Sequence, residues 1–481
     1  MSEIRLESGE ALPLELHKTT LIKKINLLSV DERLDAITRA GCNSFLLKSK
    51  EVFLDMLTDS GTNAMSINQQ GAMFYADDAY AGSESFYRLE AVMQKVFKKR
   101  FFWPCHQGRA CEHILSKVLV KNGDIVPTNY HFTTSRAHVR VLGGSMVEVF
   151  IDEAMKPRST HPFKGNIDIN KLKAVIKENK GKIAFVRLEA GTNLIGGQPI
   201  SLQNIKETYA VCKSNKLPLV MDASLLQDNL YFMKVREKEC ENKSILEICN
   251  EVADNVDILY FSARKFGAAR GGGICLNDEK LANEIKELIP LYEGFITYGG
   301  MSSREIEAIA VGVEESMDFD NISQAPHFIK YAVSELEKAG VPVITPAGGL
   351  GIHLNAREFL SHVKETEYQA GSLSAALYLV SGVRAMERGT VSEDRLPSGD
   401  EQIAKLELLR LALPRRVYTL SHVKFVVERV AWLYKNRELI GGLKWKNEPR
   451  ILRFFFGELE AIGNWKENLV EAFKKDFPQG K

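Results

Sequence analysis

From about residue 100 to 280, short apolar and β-branched runs alternate with longer stretches of helical period. The runs are Asp124 to Thr128, Ser145 to Ile151, Ile183 to Glu189, Leu217 to Asp222, Val256 to Ser262 and Gly272 to Leu276, and helical stretches such as Ile169 to Asn179 and Gln203 to Asn215 lie between them. Several runs are apolar throughout, as strands buried on both faces of a parallel sheet must be. The rhythm predicts an α/β fold with a mainly parallel sheet covered by helices. After about residue 305 the helices lengthen, and a second strand-bearing unit around Val341 to Asn355 predicts a smaller α+β domain. Thr390 to Ala404, TVSEDRLPSGDEQIA, is polar with Pro and Gly and is expected to form a mobile loop.

Composition narrows the class. With 45% hydrophobic and 26% charged residues over 481 positions, the chain reads as globular and long enough for two or three domains. Its 63 Lys+Arg balance 62 Asp+Glu. A binder of nucleic acid backbones needs a surplus of cations to displace counterions, so nucleic acid is not an expected partner. The most apolar stretch, VYTLSHVKFVVERVAWLY, is broken by Lys424, Glu428 and Arg429, short of the ~18 uncharged residues of a membrane span. The N-terminal MSEIRLESGEALPLELHKTT has no apolar signal core, and the seven cysteines are odd in number and scattered. A soluble cytoplasmic protein without a membrane partner is the expectation.

Three tempting motifs carry little. GGGIC at 271 to 275 lacks the Lys and Ser/Thr of a P-loop, and Cys105, His106, Cys111 and His113 fit no common zinc spacing, which leaves buried thiols beside a helix start. SARK at 262 to 265 has the SxxK spacing without the partner motifs of serine β-lactamases. Lys265 has a better reading. It follows the apolar strand VDILYFSA, and LPLVMDAS delivers Asp222 to the same carboxyl edge of the sheet, where open α/β folds bind ligands. One lysine and one aspartate so placed suit pyridoxal phosphate (PLP): the amine forms a Schiff base, and the carboxylate pairs with the pyridine nitrogen. By themselves an exposed lysine and a capping aspartate would look the same. Gln107, Gly108 and Arg109 follow the strand-like FFWPC and open the helix ACEHILSKVLV, so their amides could cradle a phosphate. Ser262 and Arg264 add donors beside the lysine. Phe132 could stack on a pyridine ring or be an ordinary core aromatic.

The blocks TDSGTNAMS (58–66), AYAGSESFYRLE (79–90), HQGRACE (106–112), FTTSR (132–136), NLIGGQP (193–199), YGGMSSREIEAIAVG (298–312), MERG (386–389), RLALPRRVYT (410–419) and LRFFF (452–456) resemble the tyrosine phenol-lyase and tryptophanase family, with MERG in the tyrosine phenol-lyase form. The resemblance runs in order over nearly the whole chain. It implies the aspartate aminotransferase-like fold type I of PLP enzymes, with an N-terminal segment 1–58 packing with the small domain, a large PLP-binding domain 59–320 and a small domain 321–481. It implies a β-eliminating carbon–carbon lyase converting L-tyrosine and water into phenol, pyruvate and ammonia. Lys265 would be the Schiff-base lysine and later the base at Cα, and Asp222 would bind the pyridine nitrogen. Gln107, Gly108, Arg109, Ser262 and Arg264 would serve the phosphate region, Phe132 would stack on the ring, and Asn193 would lie near the phenolate oxygen. Arg410 would take the substrate carboxylate, Tyr80 would protonate the departing ring carbon, and Thr133 with Arg388 would contact the phenol hydroxyl. Thr58, Met386 and Phe454 would wall the side-chain pocket, whereas Arg415 and Arg416 read as a solvated or structural pair. A homotetramer with active sites at dimer interfaces is implied, Tyr80 reaching in from a neighbour, as is a monovalent cation such as potassium near Gly61 and Asp78.

Departures from the family gather near the cofactor. DASLLQDN puts Leu225 where the family carries an arginine that reaches the PLP phenolate oxygen. The family's lysine pair becomes Arg264-Lys265, its GGHAxFxD becomes GGLGIHLN with Leu350 for a histidine and Asn355 for an aspartate, and Arg270 falls near the expected cation site. Leu225 and Leu350 favour one alternative to the lyase, a diverged member catalysing another PLP reaction on tyrosine or a related aromatic amino acid in a biosynthetic pathway, while a catalytically dead scaffold is disfavoured by the presence of Lys265, Asp222, Arg410 and Tyr80.

Overall fold

The computed structural model describes residues 2–396, 398–450 and 452–480. They divide into two compact units, one of Ser60–Ala154 and His161–Pro326, the other of Ser2–Asp59, Met155–Thr160 and the described residues from His327 onward.

The first unit is built on seven strands: β1 (Phe101–Cys105), β2 (Ile125–Thr128), β3 (Ser145–Glu148), β4 (Val186–Glu189), β5 (Leu219–Asp222), β6 (Ile258–Ser262) and β7 (Gly272–Leu276), in the spatial order β1-β7-β6-β5-β4-β2-β3. Pairing is parallel from β3 to β6, as the apolar runs predict. The run Gly272–Leu276 departs from that expectation, because β7 lies antiparallel to both β6 and β1. Only nine residues separate it from β6, too few for the crossover that a parallel neighbour requires. The remaining runs shorten: Ile183 retains a single bridge to Ile125, and the strand within Ser145–Ile151 ends at Glu148, beyond which Phe150 keeps a single antiparallel bridge to Ile167.

Alternation explains why the strands read as apolar throughout. Leu219, Met221, Leu259 and Phe261 face one core, while Val220, Ile258, Tyr260 and Ile274 face the other. Helices cover both faces, and every position of β4, β5, β6 and β7 is buried, whereas β3 at the edge is partly open to water. Helix α1 (Gly108–Leu119) directs Ala110, Cys111, Ile114 and Leu115 into the second core. The seven cysteines are buried free thiols.

The second unit holds an antiparallel sheet of β8 (Gly351–Asn355), β9 (Met386–Arg388) and β10 (Leu408–Ala412), with β10 central. Beside it runs a helix, Gln369–Ser381, that is buried along its whole length. Its sequence QAGSLSAALYLVS has no charged face, as a fully enclosed helix requires. In the stretch expected to be a mobile loop, Pro397 lies outside the described residues. Thr390 is buried and donates through its amide and hydroxyl to Glu407, the Ala404 amide donates to the Thr390 hydroxyl at 3.2 Å, and Arg395 pairs with Glu448, so that stretch is anchored at both ends and between them. Among the described residues, no helix is long and apolar enough to cross a membrane.

Candidate active site

In the first unit the carboxyl ends of the strands align in register. Asp222 of β5 faces Glu189 of β4 on one side and Tyr260 of β6 on the other, and Gly272 lies between Ser262 and Cys105. Just past Cys105, Gln107 is extended and starts α1 without a side-chain cap among the described residues. A Cβ placed on Gly108 would stand 2.8 Å from Ser262 Cβ, so only glycine lets the helix start come this close to the end of β6. The first-turn amides of α1 and the Ser262 hydroxyl thereby form one anion-binding corner.

Lys265 leaves β6 through a tight turn whose amides at Lys265 and Phe266 both donate to Ser262 O. Its Nζ lies 5.4 Å from the centroid of the Phe132 ring, and Gln227 holds its carbonyl at 3.2 Å. Thr133, next to Phe132, is buried. Ser224 links the two strand ends: its hydroxyl accepts from the Ser262 amide, and its own amide donates to Asp222 Oδ1 at 3.0 Å. The residues expected to hold PLP are therefore gathered at one edge, with a glycine cradle, a lysine beside an aromatic face and a fixed carboxylate. The residues present fit that group.

Behind Asp222 lies a network not anticipated from sequence. Arg187, 2% exposed, donates through Nη2 to Asp222 Oδ2 at 2.9 Å, through both Nη atoms to Glu189 Oε2 at 3.2 Å and through Nε to the Tyr260 hydroxyl at 3.2 Å. Glu189 Oε1 accepts the Asn193 amide at 2.9 Å, so Asn193 and Asp222 are tied to the same guanidinium through Glu189. The Tyr260 hydroxyl lies 3.1 Å from Asp222 Oδ2 and 3.4 Å from Glu112 Oε1, and Glu112 also accepts from Thr134 and Ser135. Burial, with the Asp222 charge adding to it, raises Glu112 and Glu189 above the usual carboxylate range, and Arg187 opposes this in both. The signal was visible in IAFVRLEA, where two charges at alternate positions interrupt a strand otherwise fit for burial.

Tyr80 stands apart from this cluster. It is 67% exposed, its ring stacked on Phe295 at 5.3 Å and edge-on to Tyr298 at 5.2 Å. Arg264 O accepts the Gly61 amide at 2.8 Å and Asn63 Nδ2 at 3.3 Å. Asp78 and Arg270 are exposed, and among the described residues no group of three or more His, Cys, Asp or Glu is placed to hold a metal.

The second unit gathers its own set. On β8, β10 and β9, His353, Arg410 and Met386 form one row, and Arg388 lies two residues along from Met386 on the same face. Arg410 Nη2 donates to Leu57 O at 2.9 Å and lies 2.7 Å from Met386 Sδ. Burial lowers its pKa to about 10 against the pull of Asp59. Arg388 stands 5.7 Å from the Phe454 ring centroid. Thr58 is half-buried, and Arg415 pairs with the buried Asp59 at 3.2 Å, a structural role. His353 was missed by sequence reasoning, although GGLGIHLN displays it. Burial, then the charge of Arg410, pushes its pKa down to about 3. Its Nδ1 lies 3.1 Å from Gly351 O and must carry the proton, which leaves Nε2 a bare acceptor with no partner among the described residues.

The departures have local explanations. Leu225 is buried, its Cβ 3.0 Å from where a Cβ on Gly191 would be, so it caps the loop after β4. Leu350 is buried at φ 69°, and Asn355 Nδ2 donates to Glu358 at 3.3 Å.

A family model described as "Beta-eliminating lyase" matches residues 55–429. The tyrosine phenol-lyase of Symbiobacterium thermophilum is 42% identical over 93% of this chain and 98% of its own length. That of Lacrimispora saccharolytica is 43% identical over 93% and 96%, and that of Pasteurella multocida 40% over 93% and 98%. Solved structures share the fold at low identity. Leishmania major threonine aldolase matches with TM-score 0.55 at 13% identity, over 79% of this chain and 99% of that one. Serine palmitoyltransferase from S. paucimobilis, with bound PLP-myriocin aldimine, matches with TM-score 0.56 at 11% identity, over 81% and 89%.

Proposed function

The chain belongs to the beta-eliminating lyase family, and from that premise we propose that it is a PLP-dependent carbon–carbon lyase acting on an aromatic L-amino acid, splitting L-tyrosine and water into phenol, pyruvate and ammonia. The observation that carries the reading is the gathering of Lys265, Asp222, Ser262, Gly108 and Phe132 at one sheet edge in a chain that is 40–43% identical to tyrosine phenol-lyases over nearly its full length. Bound PLP supplies an electron sink for a carbanion at the substrate Cα. The protein's own groups do the rest. The α1 amides of Gln107, Gly108 and Arg109, with Ser262 and Arg264, hold the phosphate. Asp222 holds the pyridine nitrogen, Phe132 covers the ring, and Asn193 lies by the phenolate oxygen. Lys265 anchors the cofactor and takes the Cα proton. Arg410 binds the substrate carboxylate with its planar fork. Arg388 and Thr133 polarise the phenol hydroxyl so that Tyr80 can protonate the ring carbon as it leaves. Thr58, Met386 and Phe454 wall the pocket.

The finer parts of the reading are a cytoplasmic homotetramer, in which the exposed Tyr80 serves a neighbouring subunit, and a potassium ion near Gly61 and Asp78. A Cβ on Gly61 would stand 2.7 Å from Arg264 Nη2, and a guanidinium there works against a second cation. Equal turnover in potassium and choline salts would remove the ion from the reading.

Purified protein given PLP and L-tyrosine should release phenol and pyruvate in equal amounts, and Lys265→Ala should abolish the visible band of bound PLP. A second reading, a diverged enzyme acting on tyrosine or a related aromatic amino acid, is favoured by the buried Leu225 beside the Asn193 loop. A PLP band without phenol or pyruvate would exclude the lyase, and turnover of another member of a panel of aromatic amino acids would then decide for the diverged enzyme against a catalytically dead scaffold. Absence of any band would overturn both.

A further inference from the structure

Three carboxylates, Glu112, Glu189 and Asp222, are buried around the single guanidinium of Arg187. An ionised carboxylate offers about four acceptor sites on its two oxygens. On Asp222, Oδ1 takes the Ser224 amide, and Oδ2 takes Arg187 Nη2 with the Tyr260 hydroxyl beside it. One site remains, on Oδ1, which matches the single N–H of a protonated pyridine. Without Arg187, Asp222 Oδ2 would lose the guanidinium that fixes it and the carboxylate would be free to turn its remaining acceptor site away from that N–H.

We infer that Arg187 is a positioning residue for the cofactor: it fixes the Asp222 carboxylate in rotation, and through Glu189 it fixes the Asn193 loop, so that the cation missing at Leu225 has a counterpart behind the pyridine-facing carboxylate. The geometry is specific to arginine. Three of its nitrogens engage Asp222, Glu189 and Tyr260 in one plane, which the single ammonium of lysine cannot reproduce. The charged and titratable groups facing Asp222 are Arg187 and Glu189 on β4 and Tyr260 on β6, with Glu112 of α1 behind Tyr260 and Lys265 acting on Glu189.

The inference rests on the PLP reading above and is tested without reference to turnover. In Arg187→Met, the dissociation constant of PLP from the reconstituted enzyme should rise at least tenfold, and the pH midpoint of the bound-PLP absorbance should move by one unit or more. In Arg187→Lys, which retains the charge but not the fork, affinity should return to within a few-fold of the parent while the midpoint stays displaced. A purely structural role would lower the melting temperature and leave both PLP readouts in place. If Arg187→Met does not fold, Arg187→Lys decides by its midpoint alone. Folded variants whose PLP affinity and midpoint equal those of the parent overturn the inference; a parent with no visible PLP band overturns the cofactor reading and the inference with it.

Discussion

Glu387, the second residue of the MERG block, is buried beside Glu407, and two carboxylates so enclosed cannot both ionise cheaply. Glu387 accepts from the amides of Gly389 and Val391 and from the Ser392 hydroxyl, while Glu407 accepts from Ala370 and Thr390. A Cβ on Gly389 would stand 2.4 Å from the Glu407 carboxyl carbon, so a side chain there would push that carboxylate from its place. Burial, then the Glu407 charge, pushes the Glu387 pKa up to about 8. Between the ordinary glutamate value of 4.5 and about 8, the folded chain keeps a proton that the unfolded chain releases. The resulting stability is complete below the lower value and is lost as pH rises through the upper one. Thermal midpoints of the parent should therefore decline from pH 5 to 9 more steeply than those of Glu387→Gln, which mimics the protonated acid at every pH; parallel curves would remove Glu387 as the source. His353 supports a second measurement. Its bare Nε2 is a buried acceptor without a donor among the described residues, and such a group costs about 1–3 kcal/mol. His353→Phe should raise the thermal midpoint of the ligand-free protein, and a lowered midpoint would show that the ring's polarity is already satisfied.

At the scale of elements, α1 and β4 differ in how much the sequence disclosed. The start of α1 was legible, because FFWPC followed by HQGRACE marks a strand, a turn and a helix N-terminus. Its close contact with Ser262 then follows from glycine at position 108. Gly108→Ala should weaken PLP binding by about tenfold, about 1.4 kcal/mol, as measured by titration of the apoenzyme. Unchanged affinity would mean that the phosphate sits elsewhere. Most strands were legible for the same reason, since burial on both faces leaves a run apolar, while the reversed direction of β7 was not, because direction is carried by the length of the connection and not by hydropathy. β4 hid its function. Its run was recognised as a strand, but Arg187 and Glu189 acquire meaning only when Asp222 and Tyr260 arrive beside them from β5 and β6, 35 and 73 positions along the chain. The row of His353, Arg410 and Met386 likewise depends on antiparallel register, which no single segment encodes.

At the scale of the whole molecule, a net charge of +1 gives copies of the chain little reason to repel one another. The same chain exposes Ile67, Phe74, Tyr75 and Tyr80 at 73%, 90%, 80% and 67%, close together in sequence, and the proposed assembly would cover such apolar groups. If that surface joins two copies and Tyr80 serves the neighbour, Phe74→Asp with Tyr75→Asp should reduce the particle mass seen by light scattering and turnover together. Complementation separates assembly from catalysis. Tyr80→Phe retains its own Lys265 and needs a tyrosine from elsewhere, whereas Lys265→Ala retains Tyr80 and has no competent lysine. In a mixed pair, the site holding Lys265 would receive Tyr80 from the Lys265→Ala copy, and the other site would stay dead. Half of randomly assorted twofold pairs are mixed and each has one working site, so co-expression should restore roughly a quarter of the parent turnover from two inactive parents. Mixtures that remain inactive while light scattering shows mixed assemblies would mean that Tyr80 acts within its own chain.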